Sequence, residues 1–267
     1  MVKTFTKDRI STVRKIGAGC VIAGGLFFGL PAQAQDAIEP EANAILKAMT
    51  EHLKSLKEFS VDYDTDHEVV DADGQKLQLS ATGMISLSRS SGFLMTRQGP
   101  LADMEVIFDG KTITLFGKAL NVYGQLDSPG PSIDEAVGEF RTATGLDATG
   151  ADLLASDPYP VLTEGVTSGR VVGVGFVDGV ECDHLAFRTD LVDWQIWISH
   201  SDKPLPVKYV ITTKWVTGAP QYTLRLSGWT TDKIDPKLFS FTPPADAKRL
   251  ESIEADETGE IVLETSK

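Results

Sequence analysis

RVVGVGFVDGVECDHLAFRTDLVDWQIWIS, residues 170–199, decides how this chain is built. Apolar and polar or small side chains alternate from Arg170 to Val177, again from Val180 to Arg188, and again from Val192 to Ser199. A period of two is the signature of strands with one buried face. Asp178-Gly179 between the first two runs is a strong two-residue hairpin signal. Only residues 189–191 separate the second run from the third. Connections this short leave no room for a crossover, so the three strands are antiparallel neighbours.

The same pattern extends in both directions. Downstream, Val207 to Trp215 and Tyr222 to Trp229 read as two more strands, and Phe239-Ser240-Phe241 as a short one before Pro243-Pro244. Upstream, the period changes. Pro158 to Leu162 and Gly150 to Leu154 read as short helical turns. Ser132-Ile133-Asp134-Glu135 is a capping box opening a helix, with Val137 and Phe140 on one side. Alternation resumes further back with Thr112 to Phe116 and Met104 to Phe108, joined by Asp109-Gly110, and Asn121-Val122-Tyr123 continues this meander. Phe93 to Arg97, a long strand through Leu77, Leu79, Ala81, Gly83, Ile85 and Leu87, and a strand from Phe59 through Val61 and Tyr63 complete it. Before Phe59, Ile45, Leu46, Met49, Leu53 and Leu56 recur at helical spacing, which predicts a helix over Pro40 to Lys57 with proline in its first turn.

The expected fold is therefore mainly β with helices, an α+β chain. About ten strands form a strongly curved antiparallel sheet or half-barrel, because a sheet of this size curls rather than staying flat. The N-terminal helix and the central helical insertion form its plug or lid.

Residues 1–34 read as a secretory leader. Lys3, Lys7, Arg9, Arg14 and Lys15 precede the apolar run Ile16–Leu30, and Pro31 with Ala32-Gln33-Ala34 forms a small-x-small cleavage pattern. The expectation is cleavage after Ala34, a periplasmic location, and no integral membrane segment. Residues 39–245 then form a single curved-sheet domain, and residues 246–267 an acidic, poorly ordered tail. The leader holds five basic residues and one acid, so its removal takes the formal charge from −13 to −17. Such a charge repels phosphate backbones and argues against a nucleic-acid partner. Cys20 does not read as a lipidation site, because the apolar stretch follows it instead of preceding it. Its loss with the leader leaves Cys182 without a disulfide partner.

Enzymatic readings find little support. Cys182 and His184 share a strand face, but two more metal ligands are missing, and the setting does not activate a thiol. The chain holds no G-x-S-x-G elbow, no H-E-x-x-H and no Walker loop. Gly173 and Gly175 mimic part of a dinucleotide fingerprint, but no helix follows, and glycine easing a bend in a strand explains them. Asp62, Asp64, Asp66 and Glu68 line one strand face, which suits a divalent cation or simply the solvent side of the sheet. No catalytic residue, metal or cofactor is assigned, and the chain reads as a non-enzyme.

The apolar faces carry more. Leu77, Leu79, Ile85, Phe93, Met95, Val106 and Phe108 make one inner face in the first half. Trp194, Ile196, Tyr222, Leu224 and Leu226 make another in the second. Under a lid contributed by Val137, Phe140 and Leu154, these faces could line a cavity for acyl chains; an ordinary packed core yields the same pattern.

A resemblance bears on that choice. Asp157-Pro158-Tyr159, Glu164 through Arg170, Asp178-Gly179-Val180 with Cys182 and His184 through Phe187, Asp193 through Ile198, Pro204-Leu205-Pro206 and Pro220-Gln221-Tyr222 together resemble a family of predicted periplasmic proteins of unknown function. Asp109-Gly110-Lys111-Thr112 and Asn121-Val122-Tyr123 extend the match, which runs from about Glu41 to Pro244. That family is similar in fold to the lipoprotein carriers LolA and LolB and the sensor RseB. The resemblance implies a hydrophobic-ligand binder whose partner is an apolar small molecule, a lipid or a lipoprotein. The other function it implies is a sensor or scaffold that binds another envelope protein through a sheet edge or lid.

Overall fold

Alternation at a period of two is realised in one sheet. The computed structural model describes residues 37–100, 103–145, 149–251, 254–255 and 261–262. Helix α1 (Pro40–Ser55) leads into a meander of six strands: β1 (Glu58–Val70), β2 (Lys76–Ser88), β3 (Gly92–Gln98), β4 (Asp103–Phe108), β5 (Thr112–Gly117) and β6 (Val122–Asp127). Helix α2 (Ile133–Thr144), a 3-10 turn (Ala151–Leu154) and helix α3 (Pro158–Thr163) interrupt it. A second meander follows: β7 (Ser168–Val177), β8 (Val180–Arg188), β9 (Val192–Ser199), β10 (Pro206–Thr213) and β11 (Gln221–Thr230).

The two meanders meet because β1 pairs with β11, from Asp62 opposite Ser227 to His67 opposite Tyr222. With a short β12 (Lys248–Arg249) the result is a curved, open, twelve-stranded sheet in the order β12-β6-β5-β4-β3-β2-β1-β11-β10-β9-β8-β7. Every strand pairing in it is antiparallel except β12 with β6. The expected curved antiparallel sheet with an N-terminal helix and a central helical insertion is the observed architecture.

The helices follow from local chemistry. Pro40 and Glu41 suit the first turn of α1, and Lys54 opposes the partial negative charge of its last turn. Leu56 leaves helical geometry (φ −73°, ψ 115°), so the helix stops short of the expected Lys57. The expected capping box of α2 is present. Ser132 accepts from the Glu135 N–H at 3.2 Å, while Glu135 accepts from the Ser132 N–H at 3.1 Å. Gly145, at φ 71°, ends it in the left-handed conformation.

One strand expectation is corrected. Phe239-Ser240-Phe241 is not a strand, because Pro236–Phe239 forms a 3-10 turn started by Pro236, with Asp235 accepting from the Lys237 N–H at 3.0 Å. Three alternating residues are too few to separate the two periods, and the cap decides for helix. Phe239 is buried with Leu94, Ile107 and Ile234 in a small second core on the face of the sheet opposite α1. Phe241 lies 5.5 Å from the ring of Phe116 and 5.4 Å from that of Tyr123. The chain thus straps the outer face of β3 to β6 and ends as β12 beside β6, with the Lys248 N–H donating to the Asn121 carbonyl at 3.0 Å. Beyond it, β13 (Glu254–Ala255) pairs with β14 (Ile261–Val262).

The expected leader and its cleavage site lie outside the described residues, as do residues 252–253, 256–260 and 263–267 of the expected tail. No helix among the described residues is long and apolar enough to cross a membrane.

Candidate ligand-binding face

The face covered by the helices is the concave one, and the register shows which side chains form it. Phe59, Val61 and Tyr63 of β1 stand opposite Leu87, Ile85 and Gly83 of β2. The row then runs through Phe93 and Met95 to Phe108 and Val106, and on to Ile113 and Leu115. On the other side, Leu226 and Leu224 face β1, Tyr209 faces Leu224, and Ile196 and Trp194 face Tyr209 and Ile211. Leu185 and Phe187 close the row, with Phe187 stacked on Trp194 at 4.0 Å and Tyr209 edge-on to Trp194 at 5.7 Å.

The predicted cavity residues therefore share one face, but they are not in equal environments. Phe93, Val106, Phe108, Trp194, Ile196, Leu224 and Leu226 are buried in the main core beside Ala42, Leu46, Met49 and Leu53 of α1. Those four helix residues are 0–1% exposed, and Ile133 and Ala136 of α2 and Leu153 of the 3-10 turn join the same core. Ile85, Met95 and Tyr222 are only partly buried, and so are Val137, Phe140 and Leu154, the predicted lid residues. Leu77 and Leu79 stand apart from this core, on the outer arm of the β1–β2 hairpin, with Leu77 40% exposed.

Side chains tie the covering elements into two groups, and the 3-10 turn links them, since it also packs against α3 and α1. Lys54 pairs with Asp157 at 2.6 Å, and the Tyr159 hydroxyl donates to Asn43 at 2.5 Å, which ties α1 to α3. The Arg141 guanidinium meets Asp152 at 2.8 Å, and Asp134 accepts from both the backbone N–H and the hydroxyl of Ser156. Those contacts tie α2 to the 3-10 turn. Between the groups sits Arg89, half-buried at the β2–β3 turn. Its Nε donates to the Leu56 carbonyl at 3.0 Å, Nη2 to Leu53 at 3.3 Å and Nη1 to Leu154 at 3.1 Å. Arg89 thus brings one cation to the carbonyls at the end of α1, where Leu53 also accepts from the Leu56 N–H at 3.2 Å, and at the end of the 3-10 turn.

The polar chemistry of the face is sparse. Burial, and then Arg97, hold His67 below the usual imidazole range, so it is neutral at pH 7. Burial pushes the Tyr209 phenol well above its ordinary value. On the outer face His184 stacks on Trp197 at 3.9 Å and its Nε2 meets Gln195 at 2.9 Å. Burial raises the thiol of neighbouring Cys182 and lowers His184, the opposite of an activated pair. Of the acidic row, Asp66 is engaged by Arg225 at 3.1 Å and Ser80 at 2.7 Å, and Glu68 by Lys76 at 3.0 Å. Among the described residues no group of three or more His, Cys, Asp or Glu is placed to hold a metal ion.

Sequence reasoning left Ile113, Leu115, Leu185, Phe187 and Tyr209 out of this face, and it missed two residues with specific polar contacts there, Tyr63 and Arg89. Tyr63 lies across Gly83 and donates to the Thr96 carbonyl at 2.6 Å. A Cβ on Gly83 would stand 2.7 Å from the Tyr63 ring, so the close approach requires glycine. The alternation Phe59-Val61-Tyr63 places Tyr63 on the right face, but its reach across two strands has no sequence signal. Arg89 has none either, since its partners are backbone carbonyls.

The model of a family described as predicted periplasmic protein (DUF2092) matches residues 42–252. Comparison with curated proteins gives no match. Among solved structures the chain is similar to an uncharacterized conserved protein from Thermus thermophilus, at 9% identity over 79% of this chain and 98% of that one, with a TM-score of 0.47. It is also similar to LprF from Mycobacterium bovis, at 15% identity, covering 78% and 98% of the two chains, with a TM-score of 0.45. A LolA superfamily protein from Nitrosomonas europaea is similar at 10% identity, covering 75% and 97%, with a TM-score of 0.36.

Proposed function

Because the chain belongs to this family of predicted periplasmic proteins, we propose that it acts in the periplasm as a non-catalytic binding protein. Its ligand is apolar, a lipid, acyl chain or lipoprotein, held against the concave face of the sheet. The leader read in residues 1–34 supports export, with cleavage after Ala34. The observation that carries the reading is the uneven closure of that face. Ala42, Leu46, Met49 and Leu53 of α1 are fully buried, whereas Val137 and Phe140 of α2, Leu154 of the 3-10 turn and Ile85, Met95 and Tyr222 of the sheet keep part of their surface exposed, beside the buried anchors Ile133, Ala136 and Leu153. An apolar chain enters there by lifting α2 with the 3-10 turn, while α1 stays packed. Each methylene that leaves water contributes about 0.8 kcal/mol toward that displacement. A closed form that opens only when a ligand offsets the loss of helix packing is the behaviour expected of a carrier.

Native mass spectrometry of the chain purified without detergent from a bacterial periplasm tests the proposal. A bound mass in the lipid range, lost on organic extraction, is expected. A clean unliganded mass together with no binding of a fluorescent fatty acid would overturn it.

A further inference from the structure

The sheet has two edges. The start of the β6 edge, at Val122 and Tyr123, is covered by the chain's own β12, a two-residue strand of exposed Lys248 and Arg249 whose charges blunt it. The β7 edge is covered only at its start. There the Gly169 N–H donates to the Ala37 carbonyl at 2.8 Å, Gly169 accepts from the Glu39 N–H at 2.9 Å, and Glu39 Oε2 takes the Val171 N–H at 3.2 Å. From Val172 to Val177 the described residues place no strand beside it. This stretch, Val172-Gly173-Val174-Gly175-Phe176-Val177, has no charged residue and no proline.

The register fixes what that edge offers. Val177 and Val180 flank the two-residue turn Asp178-Gly179, whose residues both have positive φ (49° and 84°), so they form the hydrogen-bonded pair that closes the hairpin. Antiparallel pairs alternate, so Phe176 opposite Glu181 and Val174 opposite Asp183 are the non-bonded pairs, and their N–H and C=O groups point away from β8. Their side chains are also uncovered, Val174 60% and Phe176 72% exposed. Gly175 between them has open space where a Cβ would stand.

We infer that this edge pairs with the same edge of a second copy, antiparallel about a two-fold axis at Gly175. In that register Val174 stands opposite Phe176 of the partner subunit and Phe176 opposite Val174 of the partner subunit. The outward groups of these residues form four backbone hydrogen bonds, and two Val–Phe cross-strand pairs bury the exposed side chains. At the axis the two glycines face each other as a non-bonded pair, the closest approach in an antiparallel ladder, where the lack of a Cβ is an advantage. The edge is its own complement: the uncharged Val174-Gly175-Phe176 stretch of a second copy meets it in the same register, without bringing like charges together along the strand, while the net charge of −13, or −17 without the leader, opposes approach elsewhere. Association stops at two, because the two-fold contact uses the β7 edge of both copies. The contact is small beside standard interfaces, so the dimer is in exchange with monomer and strengthens as salt screens the net charge.

Sedimentation equilibrium of the exported full chain, over roughly a hundredfold range of concentration, tests this. A monomer–dimer equilibrium is expected, favoured by salt. Phe176→Asp and, separately, Val174→Pro are each expected to raise the dimer dissociation constant about tenfold or more. Both positions are exposed, and an edge strand tolerates proline where its N–H points outward, so far-UV circular dichroism should be unchanged. A chain monomeric throughout overturns the inference, and so does a dimer that both variants leave intact. Another protein's segment found on this edge in place of a second copy overturns it as well.

Discussion

Leu46→Ala is expected to lower the unfolding free energy by about 2–5 kcal/mol, whereas Phe140→Ala, which removes a larger side chain, is expected to cost less. Leu46 is fully buried in the stripe that α1 contributes to the main core, so its removal leaves a cavity that rigid strands cannot close. Phe140 on α2 keeps part of its surface in water, so its removal forfeits less burial than a fully enclosed ring would, and the helix can settle into the space. Urea unfolding followed by tryptophan fluorescence reads both, since Trp194 lies in the same core. Equal losses for the two variants would mean that the α2 half of the concave face is as firmly packed as the α1 half, and the proposed entry route would fail.

The second large effect is expected at Arg89. Arg89→Met keeps most of the stem but removes the donors to Leu53, Leu56 and Leu154. The carbonyls of Leu56 and Leu154 then lose this donor, while Leu53 keeps the Leu56 N–H, at a cost of about 1–3 kcal/mol in a half-buried setting. The loss should not be uniform. The α2 group is held to its own members by Arg141–Asp152 and Asp134–Ser156, so it should detach as a unit. The expected outcome is a lower melting temperature together with faster release of a bound fluorescent fatty acid, and Arg89→Lys, which retains one cationic donor group, should fall between. Release that is unchanged while stability falls would make Arg89 a purely structural cap.

How much of this is legible in the sequence depends on the range of the interaction. Strand alternation is local, and it assigns Trp194, Ile196, Leu224, Leu226, Phe93, Val106 and Phe108 to one face correctly, because a period of two leaves no choice once the face is buried. The capping box of α2 is legible for the same reason. Phe239 departs from the expected strand because a proline and an aspartate cap settle its conformation, while its burial depends on Leu94 and Ile107, far away in the chain. Leu77 and Leu79 follow the alternation faithfully, yet their strand outruns β3, which pairs only as far as Thr82, and beyond it only β1 accompanies them. Sequence periodicity reports the side of a sheet, not where the sheet's neighbours end. Arg89 is invisible to it because backbone carbonyls leave no trace in residue identity.

The central claim is that a ligand enters beneath α2 and the 3-10 turn while α1 remains seated. Hydrogen exchange of the exported chain with and without added oleate measures this directly. The expected result is altered protection over residues 133–144 and 151–154 and in the strands carrying Ile85, Met95 and Tyr222, with α1 unchanged. No change at any of these positions, or changes confined to α1 or to the outer face, would contradict it.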